Sequence, residues 1–310
     1  MHPYLIAKGI LSILLLLTLA NSSVGARPRK LGLWSPDTNL LTYHNGGVLQ
    51  GNIQISIVWY GYFSRAQKTI VTDFLLSLTS NPRQPNPSVA QWWSTIDRLY
   101  LSKVGKSNQK SQITIVRQAD NWYQYGKSLT MSQIAQLASK ARTPKGGITL
   151  VFTAQDIAVE GFCRNQCAIH GSDQSSRTTY IWVGNSETQC PGQCAWPFHQ
   201  PLYGPQTPPL LPPNGNVGVD GMVMNLASMI AGTVTNPFGN GYFQGPQEAP
   251  MEACTACPGV YGRGAFPGYA GQLLTDSSTG ASYNANGANG RKYLLPAIFD
   301  PATSVCSTLN

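Results

Sequence analysis

The hydrophobic pattern changes period several times along the chain, and each change marks an element. Residues 53–60 (IQISIVWY) begin in strict alternation and end apolar on both faces, which predicts a strand in the middle of a sheet. From 65 to 79 the apolar positions shift to helical spacing, with Ile70, Val71, Phe74, Leu75 and Leu78 on one face, and Asn81-Pro82 stops the helix. Ser88 reads as the cap of a second helix whose stripe is Trp92, Trp93, Ile96, Leu99 and Tyr100. Further strands are predicted at 113–116, 147–153 and 179–183, with a short helix at 132–140 between the first two. A last helix is predicted over 221–232; its apolar residues are Met222, Val223, Leu226, Met229 and Ile230, and so few polar ones remain that it must be buried.

Strand, two helices, strand, helix, strand, cysteine-bearing loop and strand make an α/β arrangement with a mixed or mostly parallel sheet and flanking helices. Polar residues in the second and fourth strands leave room there for an edge. A proline-rich loop, Pro197 to Pro213, precedes the last helix. After Asn236-Pro237 the periodicity nearly vanishes, and glycines alternate with Phe238, Tyr242, Phe243, Tyr261, Phe266 and Tyr269. The expectation is one domain over 27–310, with an α/β body at 27–236 and a disulfide-bonded, loop-rich extension at 237–310. The extension has too little aliphatic content to fold by itself, and the chain contains no internal repeat.

Residues 1–26 stand outside that domain. Lys8, the apolar run Ile10–Ala20 and the small residues Gly25 and Ala26 before Arg27 form the pattern of a cleaved secretory signal. The run is well short of the roughly 20 residues that span a bilayer, so a membrane anchor is the weaker reading and no later segment spans either. Export sets the context for charge. Without residues 1–26 the chain has 20 basic and 13 acidic side chains, a balance of +7, and no basic run of five. A nucleic-acid partner is not expected from so thin a spread. The default destination is the extracellular space. Asn86-Pro87-Ser88 carries the excluded proline, so N-glycosylation is not expected.

Export also decides how the seven cysteines are read. Cys163, Cys167, Cys190, Cys194, Cys254, Cys257 and Cys306 fall at CxxxC, CxxxC and CxxC spacings that would suit zinc in a reducing compartment. In an oxidising one they are first read as disulfides, and an odd count leaves one thiol over. Cys254-Thr255-Ala256-Cys257 resembles a redox CxxC, but Pro250 and Pro258-Gly259 argue against the helix such a motif needs.

The search for reactive groups yields little. There is no GxSxG elbow, no phosphate loop and no dinucleotide fingerprint. The three histidines of the mature chain, His44, His170 and His199, are weak metal candidates because they are scattered. The predicted helix at 221–232 has no histidine and cannot supply a zincin pair at i and i+4. Asp156 with Glu160, and Glu187 with Asp220, follow predicted strands as carboxylate pairs of the kind that hydrolyse sugars. Any chain with 13 acidic residues yields some such pair. Trp182 and Trp196 are the aromatic residues least easily assigned to a core. No cofactor is expected and no catalytic residue is named.

Several segments together resemble the plant EXORDIUM / phosphate-induced protein 1 family. They are Leu41–Gly47 (LTYHNGG), Val58–Gly61 (VWYG), Gly161–Gly171, Tyr180–Asn185 (YIWVGN), Cys190–Phe198 (CPGQCAWPF), Gly232–Pro237 (GTVTNP) and Gly290–Ala297 (GRKYLLPA). The resemblance covers the mature chain from about residue 40 to 306. It implies a protein secreted to the apoplast and associated with cell expansion and with brassinosteroid- or carbon-status-responsive growth. It carries no established activity. Distant relatives outside plants hold a zincin-like His-Glu pair that would fall at Ser228 and Met229 here, which implies a zincin-like body without the metal motif. The same resemblance makes Cys254 the spare thiol and leaves Cys163, Cys167, Cys190, Cys194, Cys257 and Cys306 for three bridges, with fifteen pairings open. The expected mode of action is binding, with an acidic cell-wall polysaccharide or an extracellular receptor as partner. The alternative is an extracellular hydrolase of wall carbohydrate or peptide; a structural wall protein comes third.

Overall fold

The computed structural model describes residues 41–79, 84–104, 110–164, 166–173, 177–246 and 249–309. The expected signal segment 1–26, the expected helix stop at Asn81-Pro82 and the expected start of the domain at 27 lie outside the described residues. At the centre is a five-stranded sheet built from β1 (Asn52–Tyr60), β2 (Gln112–Asn121), β3 (Ile148–Thr153), β4 (Ala168–Asp173) and β5 (Thr178–Gly184), in the order β2-β1-β3-β5-β4. The first four of that order run parallel, and β4 pairs antiparallel with β5. The sheet is therefore mixed. β1 and β3 are buried on both faces because both faces are covered: Ile55, Ile57 and Trp59 point to one side, Ser56, Val58 and Tyr60 to the other, and all six are buried.

Four main helices follow the predicted faces. α1 (Arg65–Ser77) starts at a reciprocal cap, in which Ser64 Oγ accepts from the Gln67 N–H and the Gln67 side chain accepts from the Ser64 N–H. α2 (Val89–Ile96) is capped by Ser88 and continues as a wider turn through Asp97–Leu101, which carries the apolar stripe on to Tyr100. α3 (Met131–Lys140) has a Thr130/Gln133 box of the same kind. α4 (Val217–Thr235) is longer than its apolar core predicts, because Asn216 caps it one turn earlier by accepting from the Val219 N–H at 2.8 Å. Right-handed crossovers put α1 and α2 on one face and α3 on the other. α4 packs against α1, β5 and β4.

At the edges the structure bears out one part of the sequence reading and departs from another. The second strand is an edge, as its polar residues suggest, and runs on to Asn121. The fourth predicted strand is not. It is covered by β4, whose Ala-Ile-His-Gly-Ser-Asp sequence has weak strand propensity and sits inside what reads as a cross-linked loop. Two disulfides, Cys163–Cys190 and Cys167–Cys194, tie the residues just before β4 to the helical turn Pro191–Cys194. Chain cross-links supply the local order that propensity does not.

Beyond α4 the chain forms ladders of two or three residues and turns, and it is fastened to the body by long-range polar contacts. Trp92 Nε1 donates to Pro296 O at 2.8 Å, Tyr293 OH donates to Ile70 O at 2.9 Å, and Arg291 pairs with buried Asp73 at 3.1 Å. Tyr100 OH donates to Phe299 O. The third disulfide, Cys257–Cys306, closes a 49-residue span of this region, while Cys254 is free and buried.

Candidate functional site

Two concave regions gather the residues singled out from the sequence. The first is an open cleft of about 540 Å³ between β4, the C-terminal part of α4 and the loops at 236–239 and 249–255. His170 projects from β4, and its Nε2 lies 2.7 Å from Glu252 Oε2. Glu252 Oε1 accepts from Asn236 Nδ2 at 2.7 Å, and the Glu252 N–H donates to Thr255 Oγ1 at 2.7 Å. Asn236 Oδ1 in turn accepts from the Gly241 N–H. The pair fits because residue 232 of α4 is glycine: a Cβ there would collide with Glu252 Oε2 and stand 3.3 Å from His170 Nε2. Glu252 is only 3% exposed and both of its oxygens are engaged. Beside it the Cys254 thiol is pushed up, first by burial and then by the Glu252 charge, so it has little thiolate character.

The second region is a groove of about 480 Å³ between the proline-rich loop and the extension. One wall carries Trp196, Pro197, His199, Pro205 and Pro208; the other carries Phe266, Pro267, Gly268, Tyr269 and Leu273. Phe266-Pro267-Gly268-Tyr269 is a tight turn, with the Tyr269 N–H donating to Phe266 O at 2.8 Å and the reverse bond at 3.1 Å. Gly268 has φ +89°, and a Cβ there would lie 2.7 Å from Pro205. The turn thus presents two rings side by side, 5.1 Å apart, with Phe266 63% and Tyr269 40% exposed. Tyr203, 84% exposed, lines the adjoining hollow with Trp196 and Pro258. Thr207 Oγ1 donates to Gly268 O at 3.1 Å and Ser282 N–H to Leu211 O at 3.0 Å, which join the two walls. Arg263 is exposed on the same hairpin as Phe266, and no ion pair involves it among the described residues.

The remaining candidates are placed apart. His44 stacks on Phe243 at 3.9 Å and contacts Phe243 O through Nε2 at 3.1 Å. His199 Nδ1 bonds Gln200 O at the rim of the groove. Among the described residues no group of three His, Cys, Asp or Glu side chains stands together as a metal ligand set. Asp156 is bound by Lys127 at 2.7 Å and Tyr123 OH at 3.2 Å; burial opposes its ionisation, but these bonds prevail and lower its pKa. Glu160 accepts from the Met131 N–H at the start of α3. Asp220 is buried in the first turn of α4, where burial raises it to about 6 against the bonds from Asn214 and Asn216. It stands twelve residues, or roughly 18 Å of helix axis, from Gly232 and the His170 pair. Glu187 lies beside the same first turn of α4, where a Cβ on Gly218 would stand 2.6 Å from its Cβ. Trp182 is a core residue, its Nε1 bonded to Thr153 Oγ1.

A family model described as the phosphate-induced protein 1 conserved region matches residues 41–309. The chain belongs to the phosphate-induced protein 1 (EXORDIUM) family. It is 53% identical over 310 residues to Protein PHOSPHATE-INDUCED 1 of Nicotiana tabacum, covering 97% of this chain and 98% of that one. It is 52% identical over 314 residues to Protein EXORDIUM of Arabidopsis thaliana, with 97% and 98% covered, and 50% identical over 312 residues to Protein EXORDIUM-like 1 of the same plant, with 98% and 99% covered. No solved structure matches the chain.

For this family member the partner of His170 is Glu252, a residue that no spacing rule selects: it is a lone carboxylate 82 positions away. The groove was half legible. Trp196, the prolines and the Phe266-Pro267-Gly268-Tyr269 turn all have sequence signals, but their meeting across about 60 residues does not.

Proposed function

We propose that this EXORDIUM-family chain is a secreted protein of the apoplast that acts by binding an acidic cell-wall polysaccharide, not by catalysis, and serves cell expansion responsive to brassinosteroid or carbon status. The observation that carries the binding reading is the groove: Trp196, Phe266 and Tyr269 offer flat apolar faces to solvent, and among the described residues its lining holds one histidine, His199, and no carboxylate. Aromatic faces stack on the C–H faces of sugar rings, while Arg263 on the same hairpin meets a uronate carboxylate. Such a site is preformed, mostly apolar and of ordinary ligand size. The positive balance of the mature chain draws anionic polymer in and makes the contact sensitive to salt. The growth and apoplast parts of the proposal rest on the family.

The zincin-like reading of the body belongs here too. The antiparallel edge strand beside α4 favours it, and Ser228 and Met229 on α4 leave it without a metal pair.

One observation favours the alternative of an extracellular hydrolase, namely a His–Glu pair in an open cleft. Against it, Glu252 spends both oxygens on His170 and Asn236, and among the described residues no hydroxyl or thiol is hydrogen-bonded to His170. The test is calorimetry of the secreted protein against polygalacturonate and a neutral glucan at two salt concentrations, with sugar release followed in parallel. Binding of polygalacturonate that weakens with salt, without release of sugar, is expected. Release of reducing sugar at a rate abolished by His170→Ala would overturn the binding reading.

A further inference from the structure

We infer that the outer edge of β4, which no strand covers among the described residues, is a docking site for an extended peptide, which joins the sheet as a sixth strand. The register sets which backbone groups are spare. The Gly184 N–H donates to Cys167 O at 3.3 Å, and the ladder continues from Ala168↔Val183 to Asp173↔Thr178. In an antiparallel ladder bonded and non-bonded pairs alternate, so residues 169 and 171 turn their N–H and C=O groups toward β5, and Ala168, His170 and Ser172 turn theirs away. Among the described residues no backbone hydrogen bond outside the ladder reaches these three. They line the open cleft of about 540 Å³, whose far wall includes Met229, Phe238 and Pro250.

The chemistry of that edge selects its occupant. Three N–H and three C=O groups repeat every second residue, about 6.8 Å apart, and only another polypeptide backbone matches that repeat over its length. A polysaccharide has no such alternation of amide donors and acceptors. The opposite edge of the sheet is protected in the usual way, since Arg117 and Asp120 are exposed along β2 and Asp120 is paired with Lys68. β4 has no Lys, Arg, Asp or Glu before Asp173. The apolar far wall asks for apolar side chains at alternate positions of the guest and no proline where it pairs. This site is separate from the groove and does not depend on what the groove binds.

The test uses the whole secreted protein and a capped heptapeptide of alternating valine and threonine, with amide hydrogen exchange read residue by residue. In the free protein the amides of Ala168, His170 and Ser172 exchange quickly; millimolar peptide slows them by about tenfold or more, and leaves Val116–Asp120 of β2 unchanged. The same peptide N-methylated on alternate residues, which removes its pairing donors, gives no protection. Ser172→Pro removes one outward N–H that β5 does not use, so the thermal midpoint holds while peptide affinity falls about tenfold. Slow exchange of the three amides in the free protein, no protection by millimolar peptide, or equal protection by the N-methylated peptide would each overturn the proposal. The N-methylated comparison needs no variant, so it decides the matter even if Ser172→Pro fails to fold.

Discussion

The cleft and the groove are built on opposite plans. In the cleft the polar side chains are buried and spent on one another: His170, Glu252 and Asn236 close a network that Gly232 makes room for. In the groove the side chains are apolar and left facing water, held by backbone turns instead of by their own contacts. A buried hydrogen-bonded network specifies one arrangement and is costly to break, although His170 Nδ1 finds no partner among the described residues. Exposed aromatic rings add little to folding and are available to a ligand. The difference separates a region that fixes the fold from one that is open to the partner we propose, and it can be attacked from both sides.

The largest expected effect comes from the bridge that fastens the groove's own segment. Replacing Cys257 and Cys306 by serine removes the closure of a 49-residue span and should lower stability by about 4 kcal/mol, read as a shift in urea midpoint. Polysaccharide affinity should fall with it, because the hairpin bearing Phe266 begins just after Cys257. Glu252→Ala comes next. It leaves His170 and Asn236 without their acceptor in a buried place and should cost about 3 kcal/mol, without changing affinity for polysaccharide at temperatures where the protein stays folded. A loss of affinity with stability intact would instead put the ligand in the cleft.

A pH scan sharpens the same contrast at the other end of α4. Asp220 has its pKa raised to about 6 by burial, so between about pH 4 and 6 the folded state holds a proton that the unfolded state has released. Its contribution to stability is fully present below about pH 4 and is lost as the pH rises through 6, by up to about 3 kcal/mol. Asp220→Asn should flatten the thermal midpoint across that interval. A wild-type midpoint that rises steadily from pH 4 to 6, with the variant following it, would contradict the assignment.

Much of the body was legible because its signals are local. The two-sided apolar run of β1 announces a central strand, and Ser88 caps the helix it was expected to cap. β4 was not legible: His170, Gly171 and Ser172 are poor strand formers, and their order comes from one neighbour strand and two disulfides. The bridges themselves stayed ambiguous, since spacing allows Cys163 to meet either Cys190 or Cys194. At the sites, His170 and Trp196 could be singled out by residue type. Glu252 could not, because its meaning depends on a glycine twenty positions earlier and a histidine on a strand the pattern does not reveal.

The central claim is that the aromatic turn of the groove holds the polysaccharide. The direct measurement is calorimetric affinity of wild type and Phe266→Ala for polygalacturonate, with the thermal midpoint of both recorded. Phe266 is mostly exposed, so the account predicts a midpoint changed by no more than about 0.5 kcal/mol in stability and an affinity reduced by about tenfold. Equal affinity of the two proteins would place the binding elsewhere and contradict it.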